Sequence, residues 1–143
     1  MRRINFDHLA SAPILPEVKE AMMPYLSQDL GNPLSRHIFG DRSRNAIEEA
    51  RINIAGLIGA KPDEIIFTSC GSESNNLAIK GIAQAYAKKG KHIISSPIEH
   101  HSVLHPLKNL EKQGYEISWL KVDEKGNVSS QEVSPLIRDD TIL

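Results

Sequence analysis

Apolar residues in this chain alternate between helix-length stretches, where they recur every three or four positions, and short runs rich in Ile, Val and Phe. The first pattern puts one stripe on a helix face, and the second suits a strand. After an extended start at Ile4 to Asp7, Pro16 fits the first turn of a helix carrying Val18, Ala21, Met22, Tyr25 and Leu26 on one side, and Pro24 is expected to kink or shorten it. Gly31-Asn32-Pro33-Leu34-Ser35 is a loop by composition. A second helix is predicted from about Arg42 to Ile58, with Ala46, Ile47, Ala50, Ile54, Leu57 and Ile58 in phase and Gly59 as its stop. Glu64 to Thr68 then reads as a buried strand. Ser69-Cys70-Gly71 is the turn into a helix from Ser72 to about Lys89, whose buried stripe is predicted to be Leu77, Ala78, Gly81, Ile82 and Ala85.

A second strand, His92 to Ser95, leads through the loop Pro97-Ile98-Glu99-His100 into a helix carrying Val103, Leu104, Leu107 and Leu110 and ending at Gly114. Tyr115 to Leu120 is a third strand and Glu124 to Asn127 a turn. Ser129 and Glu132 have capping-box spacing at the start of a short helix that Pro135 cuts early. Thr141-Ile142-Leu143 is a strand just beginning. Strands alternating with helices argue for α/β layering, and an ending on the first apolar residues of a strand is expected of a truncated chain.

Composition narrows the class without changing this picture. Apolar residues make up 40% of 143, enough for one ordinary core. Seventeen Lys and Arg against eighteen Asp and Glu leave a formal net charge of -1, so nothing draws the chain as a whole toward nucleic acid or anionic lipid. A small molecule or a protein is the expected partner. Polar residues interrupt every apolar run before it reaches the length of a membrane span. A single cysteine and a start without a signal-peptide core point to a reduced, cytoplasmic setting.

The most informative stretch is Phe67-Thr68-Ser69-Cys70-Gly71-Ser72-Glu73-Ser74-Asn75-Asn76. The first amides of a helix lack internal partners and lie at the positive end of its dipole, so an anion there gains hydrogen bonds and a favourable field. Gly71 leaves room for a phosphate and Ser72 offers a hydroxyl. Taken alone, the pair reads equally as a tight turn and an N-cap. His100, in a loop after a strand, is placed for proton transfer or is simply an exposed loop residue.

These segments together resemble the cysteine desulfurase group of the class V aminotransferases, pyridoxal-phosphate enzymes of fold type I. The resemblance rests on Thr68-Ser69-Cys70-Gly71-Ser72-Glu73-Ser74-Asn75-Asn76-Leu77-Ala78-Ile79-Lys80-Gly81, on Gly31-Asn32-Pro33-Leu34-Ser35-Arg36-His37-Ile38-Phe39-Gly40, and on Ile98-Glu99-His100-His101-Ser102-Val103, in family order. The front motif departs from the family's Asp-x-Ala-Ala-Thr-Thr-Pro, reading Asp7-His8-Leu9-Ala10-Ser11-Ala12-Pro13, and Ser72 stands where the family has Thr.

The resemblance implies a three-layer α/β sandwich of the transferase large domain, present here as its N-terminal half over residues 16–143, with residues 1–15 belonging to a small domain. It implies pyridoxal 5'-phosphate as cofactor, its phosphate held by Gly71 and Ser72 and its pyridine ring stacked by His100, which also moves protons. The implied reaction converts L-cysteine to L-alanine and passes the sulfur as a persulfide to an acceptor or scaffold protein, for iron-sulfur cluster or related biosynthesis. The complete enzyme is expected to be a homodimer. Another class V activity, such as a selenocysteine lyase or an aminotransferase, shares the same front half. A non-catalytic relic or a split subunit is the reading outside enzymology.

Other constellations carry less. His101 and His105 are four apart and, with His100, suggest a metal site, but no carboxylate stands as in a His-Glu-x-x-His motif and Pro106 is expected to disturb the helix, so no metal ligand is assigned. His37 borders a cleft or enters a helix. Cys70 lies where relatives carry a small residue, whereas the family's sulfur-accepting cysteine lies far toward the C-terminus, so Cys70 is read as structural. The family's cofactor lysine also lies well downstream. Lys80, Lys88 and Lys89 match no such motif and are read as outward or distal. The 143 residues alone are therefore expected to be inactive, and their uncovered sheet edges to favour association.

Overall fold

In the computed structural model, residues 4–27 and 31–143 are described. They form two compact units, 1–66 and 67–143.

The first unit is helical. Residues 4–7 precede a turn, and α1 spans Pro16–Ser27 with Pro24 inside it, so the helix runs past that proline rather than ending at it. Its apolar residues, Met22, Met23, Tyr25 and Leu26 among them, are exposed. α2 runs Ile38–Ile58, four residues longer at its front than the periodicity predicts. The reason is His37, whose ring accepts a hydrogen bond from the Gly40 amide at 3.3 Å and caps the helix, a role usually given to a short polar side chain. Gly59 ends it at φ +69°, in the left-handed region where glycine carries no side-chain penalty.

The buried strand predicted at 64–68 does not form. Pro62–Glu64 is a 3-10 turn in which the Glu64 carboxylate accepts from the Lys61 amide at 2.7 Å, so the front of the run is drawn into a turn. Residues 65–68 continue outside any strand, with Ile66 and Phe67 exposed. Apolar composition marks a segment that suits a sheet, but strand structure also needs a neighbour's ladder.

The second unit is α/β. α3 spans Gly71–Ala85, β1 His92–Ser95, α4 His101–Lys112 and β2 Glu116–Trp119. β1 and β2 pair in parallel, His92 opposite Glu116 and Ser95 opposite Trp119, with α4 as the crossover. Residues 141–143 add a further parallel edge to β1. Thr141 bridges His92, the Ile142 amide donates to the His92 carbonyl at 2.9 Å, and the Ile94 amide donates to the Leu143 carbonyl at 2.9 Å. Where a strand is expected to begin, a single bridge and two flanking hydrogen bonds form.

Ile79 and Ala83 of α3, Ile93 of β1, and Leu107 and Leu110 of α4 form the core, with Val103, Tyr115, Ile117, Trp119 and Ile142 packed around them. This corrects the stripe predicted for α3. Leu77, Ala78, Gly81 and Ala85 are exposed, and only Ile82 of that set is half-buried. The helix is apolar on two sides, and periodicity alone does not say which one meets the sheet. α3 is also shorter than predicted, ending at Ala85, and the Tyr115 hydroxyl reaches across to donate to the Ala83 carbonyl at 2.6 Å. α4 runs unbroken through Pro106, which is buried.

On the sheet face opposite Ile93 lies a polar lock. His92 is fully buried, with one ring nitrogen 2.7 Å from the Thr141 hydroxyl and the other 2.8 Å from the Ser118 hydroxyl. One side chain thus ties β1 to β2 and to the 141–143 segment. The Asp123 carboxylate closes the 124–127 turn by accepting from the amides of Lys125 and Asn127. Ser129 caps the following 3-10 turn, while Glu132 turns away from the expected capping box to accept from the Lys121 amide at 3.2 Å.

Candidate functional site

The turn into α3 presents its first amides without a side-chain cap. Cys70, not Ser72, is the N-cap residue, and its side chain makes no capping hydrogen bond. The amides of Gly71, Ser72 and Glu73 precede the first intrahelical donor, since the Ser74 amide is the one that reaches the Cys70 carbonyl, at 3.1 Å. A methyl group added at Gly71 would meet nothing within 4 Å, so the side of the turn that a side chain would occupy is open.

The side chains of Glu73, Thr68 and Ser74 are engaged away from these amides. The Glu73 carboxylate folds back to accept from the Ser69 amide at 2.6 Å and the Ser69 hydroxyl at 2.7 Å, and these bonds, hydroxyl first, hold its pKa below the ordinary carboxylate value. The Thr68 and Ser74 hydroxyls pair at 2.6 Å. Ser72 is different, because its hydroxyl makes no hydrogen bond among the described residues.

Electropositive character at this turn registers on Cys70. Its thiol is exposed and its pKa lies below the ordinary thiol value, lowered first by the Glu73 amide, then by the Ser69 hydroxyl and the Ser72 amide. A group that favours an anion at this point reports the same field that a phosphate would meet.

The first turn of α4 lies alongside. Asn75 of α3 donates to the Ser102 hydroxyl at 2.8 Å, joining the two helix starts. His100 is the N-cap of α4, its Nδ1 accepting from the Ser102 amide at 3.1 Å and lying 2.8 Å from the Ser102 hydroxyl. An amide can only donate, so Nδ1 is the unprotonated nitrogen and the neutral ring carries its proton on Nε2. The fold thereby fixes the tautomer.

Between α3 and α4 opens a cavity of about 540 Å³ lined by Ser72, Asn76 and Lys80 on one side and by His100, His101, His105 and Asn109 on the other. Two of the three predicted site residues, Ser72 and His100, meet there, and Gly71 lies one residue outside its lining. Lys80, predicted to point outward, lines the same cavity. It sits eight residues along α3 from Ser72, about 12 Å at the helical rise. The signal for its placement was available in the sequence, because Ser72, Asn76 and Lys80 are spaced four apart and share a helix face.

A family model described as aminotransferase class-V matches residues 4–143. Among curated proteins, the cysteine desulfurase IscS of Dictyoglomus turgidum is 55% identical over 142 residues, which cover 99% of this chain and 36% of that protein. The cysteine desulfurase IscS of Methanosarcina thermophila is 51% identical over 142 residues, covering 99% and 35%. A solved NifS-like protein superposes with a TM-score of 0.92 at 36% identity over 98% of this chain and 38% of its own. A structure of SspA in complex with cysteine gives 0.87 at 43% identity, over 95% and 39%. The chain thus spans a little over a third of the length of the curated relatives it matches.

Proposed function

Since the chain belongs to the class-V aminotransferase family, we propose that it is the N-terminal part of a cysteine desulfurase that works with pyridoxal 5'-phosphate. The reaction would take L-cysteine to L-alanine and hand the sulfur, as a persulfide, to an acceptor protein for iron-sulfur cluster or related assembly. Similarity to proteins named cysteine desulfurase, and to one solved with cysteine, supports that substrate. The complete enzyme is taken to be a cytoplasmic homodimer.

A single observation carries the cofactor assignment: an uncapped α3 start with an unengaged serine hydroxyl opens beside a histidine of fixed tautomer. The residues present fit the group. Gly71 and Ser72 would take the phosphate through their amides and the Ser72 hydroxyl, the Ser72 amide exchanging the Cys70 sulfur for the anion. His100 would lie against the ring, with Nε2 the atom that gives or takes a proton, because Nδ1 is held by Ser102. When bound, pyridoxal phosphate supplies the electron sink that lets bonds around the substrate's α-carbon break. Lys80 stands two turns from Ser72 and matches no cofactor-lysine motif, so these 143 residues alone are proposed to leave cysteine unchanged.

Titration of the isotope-labelled chain with pyridoxal phosphate, and separately with inorganic phosphate, tests the assignment by amide NMR. The Gly71, Ser72 and Glu73 signals should move with both ligands. Ser72→Ala should weaken both by roughly 10- to 100-fold, the value of one hydrogen bond to a charged acceptor. Saturation without movement of those amides would overturn it.

A further inference from the structure

The outer wall of the same cavity carries a pair of histidines that the desulfurase reading does not use. Because α4 continues through Pro106, His101 and His105 stand one helical turn apart on one face. Their ring centroids are 5.3 Å apart and their planes differ by only 29°, so the imidazoles form a stacked pair. Both residues are exposed, and neither ring makes a hydrogen bond among the described residues. His100 contrasts with them, its Nδ1 being committed to Ser102.

Two unengaged imidazoles one turn apart on exposed side chains can rotate out of this stack to aim one nitrogen each at a shared ion, the same i, i+4 arrangement that carries the paired histidines of helical zinc motifs. We infer that His101 and His105 form an open clamp for a borderline divalent transition-metal ion, of the copper(II), nickel(II) or zinc(II) class. Imidazole suits these ions, whereas magnesium and calcium need oxygen donors that this wall does not concentrate. Lys80 lines the same cavity, and its charge works against any cation held by electrostatics alone, which further favours ions bound through nitrogen. Among the described residues no third His, Cys, Asp or Glu joins the pair. Water therefore fills the remaining positions, and the ion exchanges with solvent rather than acting as a structural centre.

The clamp stands whether or not the cofactor reading does, and its test uses metal alone. Purified chain is titrated calorimetrically with nickel(II) and copper(II), and the copper(II) form is examined by electron paramagnetic resonance. One equivalent should bind, copper tighter than nickel, with hyperfine structure from two nitrogen ligands. His101→Gln and His105→Gln, both at exposed positions, should each lower affinity by roughly tenfold or more while leaving Trp119 fluorescence unchanged. His8→Gln and Cys70→Ser should leave affinity unchanged. Absence of saturable binding, binding that survives both histidine substitutions, or loss of binding with Cys70→Ser would each overturn the inference.

Discussion

Replacing His92 should unlock the sheet that presents His100. The ring is fully buried and bonded at both nitrogens, to Thr141 at 2.7 Å and Ser118 at 2.8 Å, with hydroxyls that rotate to match it. His92→Ala removes two buried hydrogen bonds, each worth about 1 kcal/mol net, and leaves a void that costs about 1–2 kcal/mol more. The expected loss is about 3–4 kcal/mol, a large share of the roughly 5–15 kcal/mol typical of a domain. Thr141 retains a second bond, from the Arg138 amide at 2.8 Å, so the Ser118 hydroxyl is the group left unsatisfied. Removing that hydroxyl as well should then cost less in the His92→Ala background than in the parent. A double-mutant cycle of His92→Ala with Ser118→Ala should give a coupling of about 1 kcal/mol. Urea unfolding followed through Trp119, the only tryptophan and the neighbour of Ser118 on β2, supplies the measurement. A coupling indistinguishable from zero, or a loss under about 1 kcal/mol for His92→Ala, would refute the lock.

Gly40→Ala should destabilise the first unit by about 1–3 kcal/mol in thermal or urea unfolding, because its new methyl would run into the Ser35 carbonyl and lie 2.7 Å from that of Asn32, both backbone. Asp123 gives a pH dependence. Its pKa is lowered first by the Asn127 amide, then by the Asn127 side chain and the Lys125 and Gly126 amides. A depressed carboxylate stabilises its turn above the ordinary carboxylate pKa and loses that contribution as pH falls through the folded value. The Lys125 and Asn127 amide signals should therefore move together in the acid range, and Asp123→Asn should abolish that transition.

Where local chemistry and tertiary contact agree, the chain announces its own structure. His92–Ser95 has the predicted strand bounds, and Gly59 and Gly114 sit at positive φ just past their helices. The Gly31 to Gly40 motif explains itself in space, since a methyl on Gly31 would strike the Phe39 carbonyl just as one on Gly40 would strike Ser35. What stays hidden depends on partners distant in sequence. The run at 64–68 has strand composition, but Pro62 and Glu64 commit its front to a 3-10 turn. His37 and His100 cap helices through ring nitrogens, a use of histidine that ordinary capping preferences do not flag. Pro106 looks like a breaker until its place on the buried face of α4 is seen, where packing outweighs one lost backbone bond.

The misread face of α3 explains why the candidate site lies where it does. Ile79 and Ala83 point to α4 and the sheet, and the polar series Ser72, Asn76 and Lys80 lies beside them on the same flank. Had Leu77, Ala78 and Gly81 been the buried stripe, a rotation of about half a turn would have carried Ser72 and Lys80 away from α4. Ser72 and His100 would then line no common cavity. The core contact therefore sets the site, because Ile79 and Ala83 are buried in the core with Leu107 and Leu110 of α4 while Asn75 pins the two helix starts through Ser102. Ser102 also holds His100, so a single hydroxyl links the start of α3 to the His100 ring. The geometry of both partners follows from which side of one helix was buried.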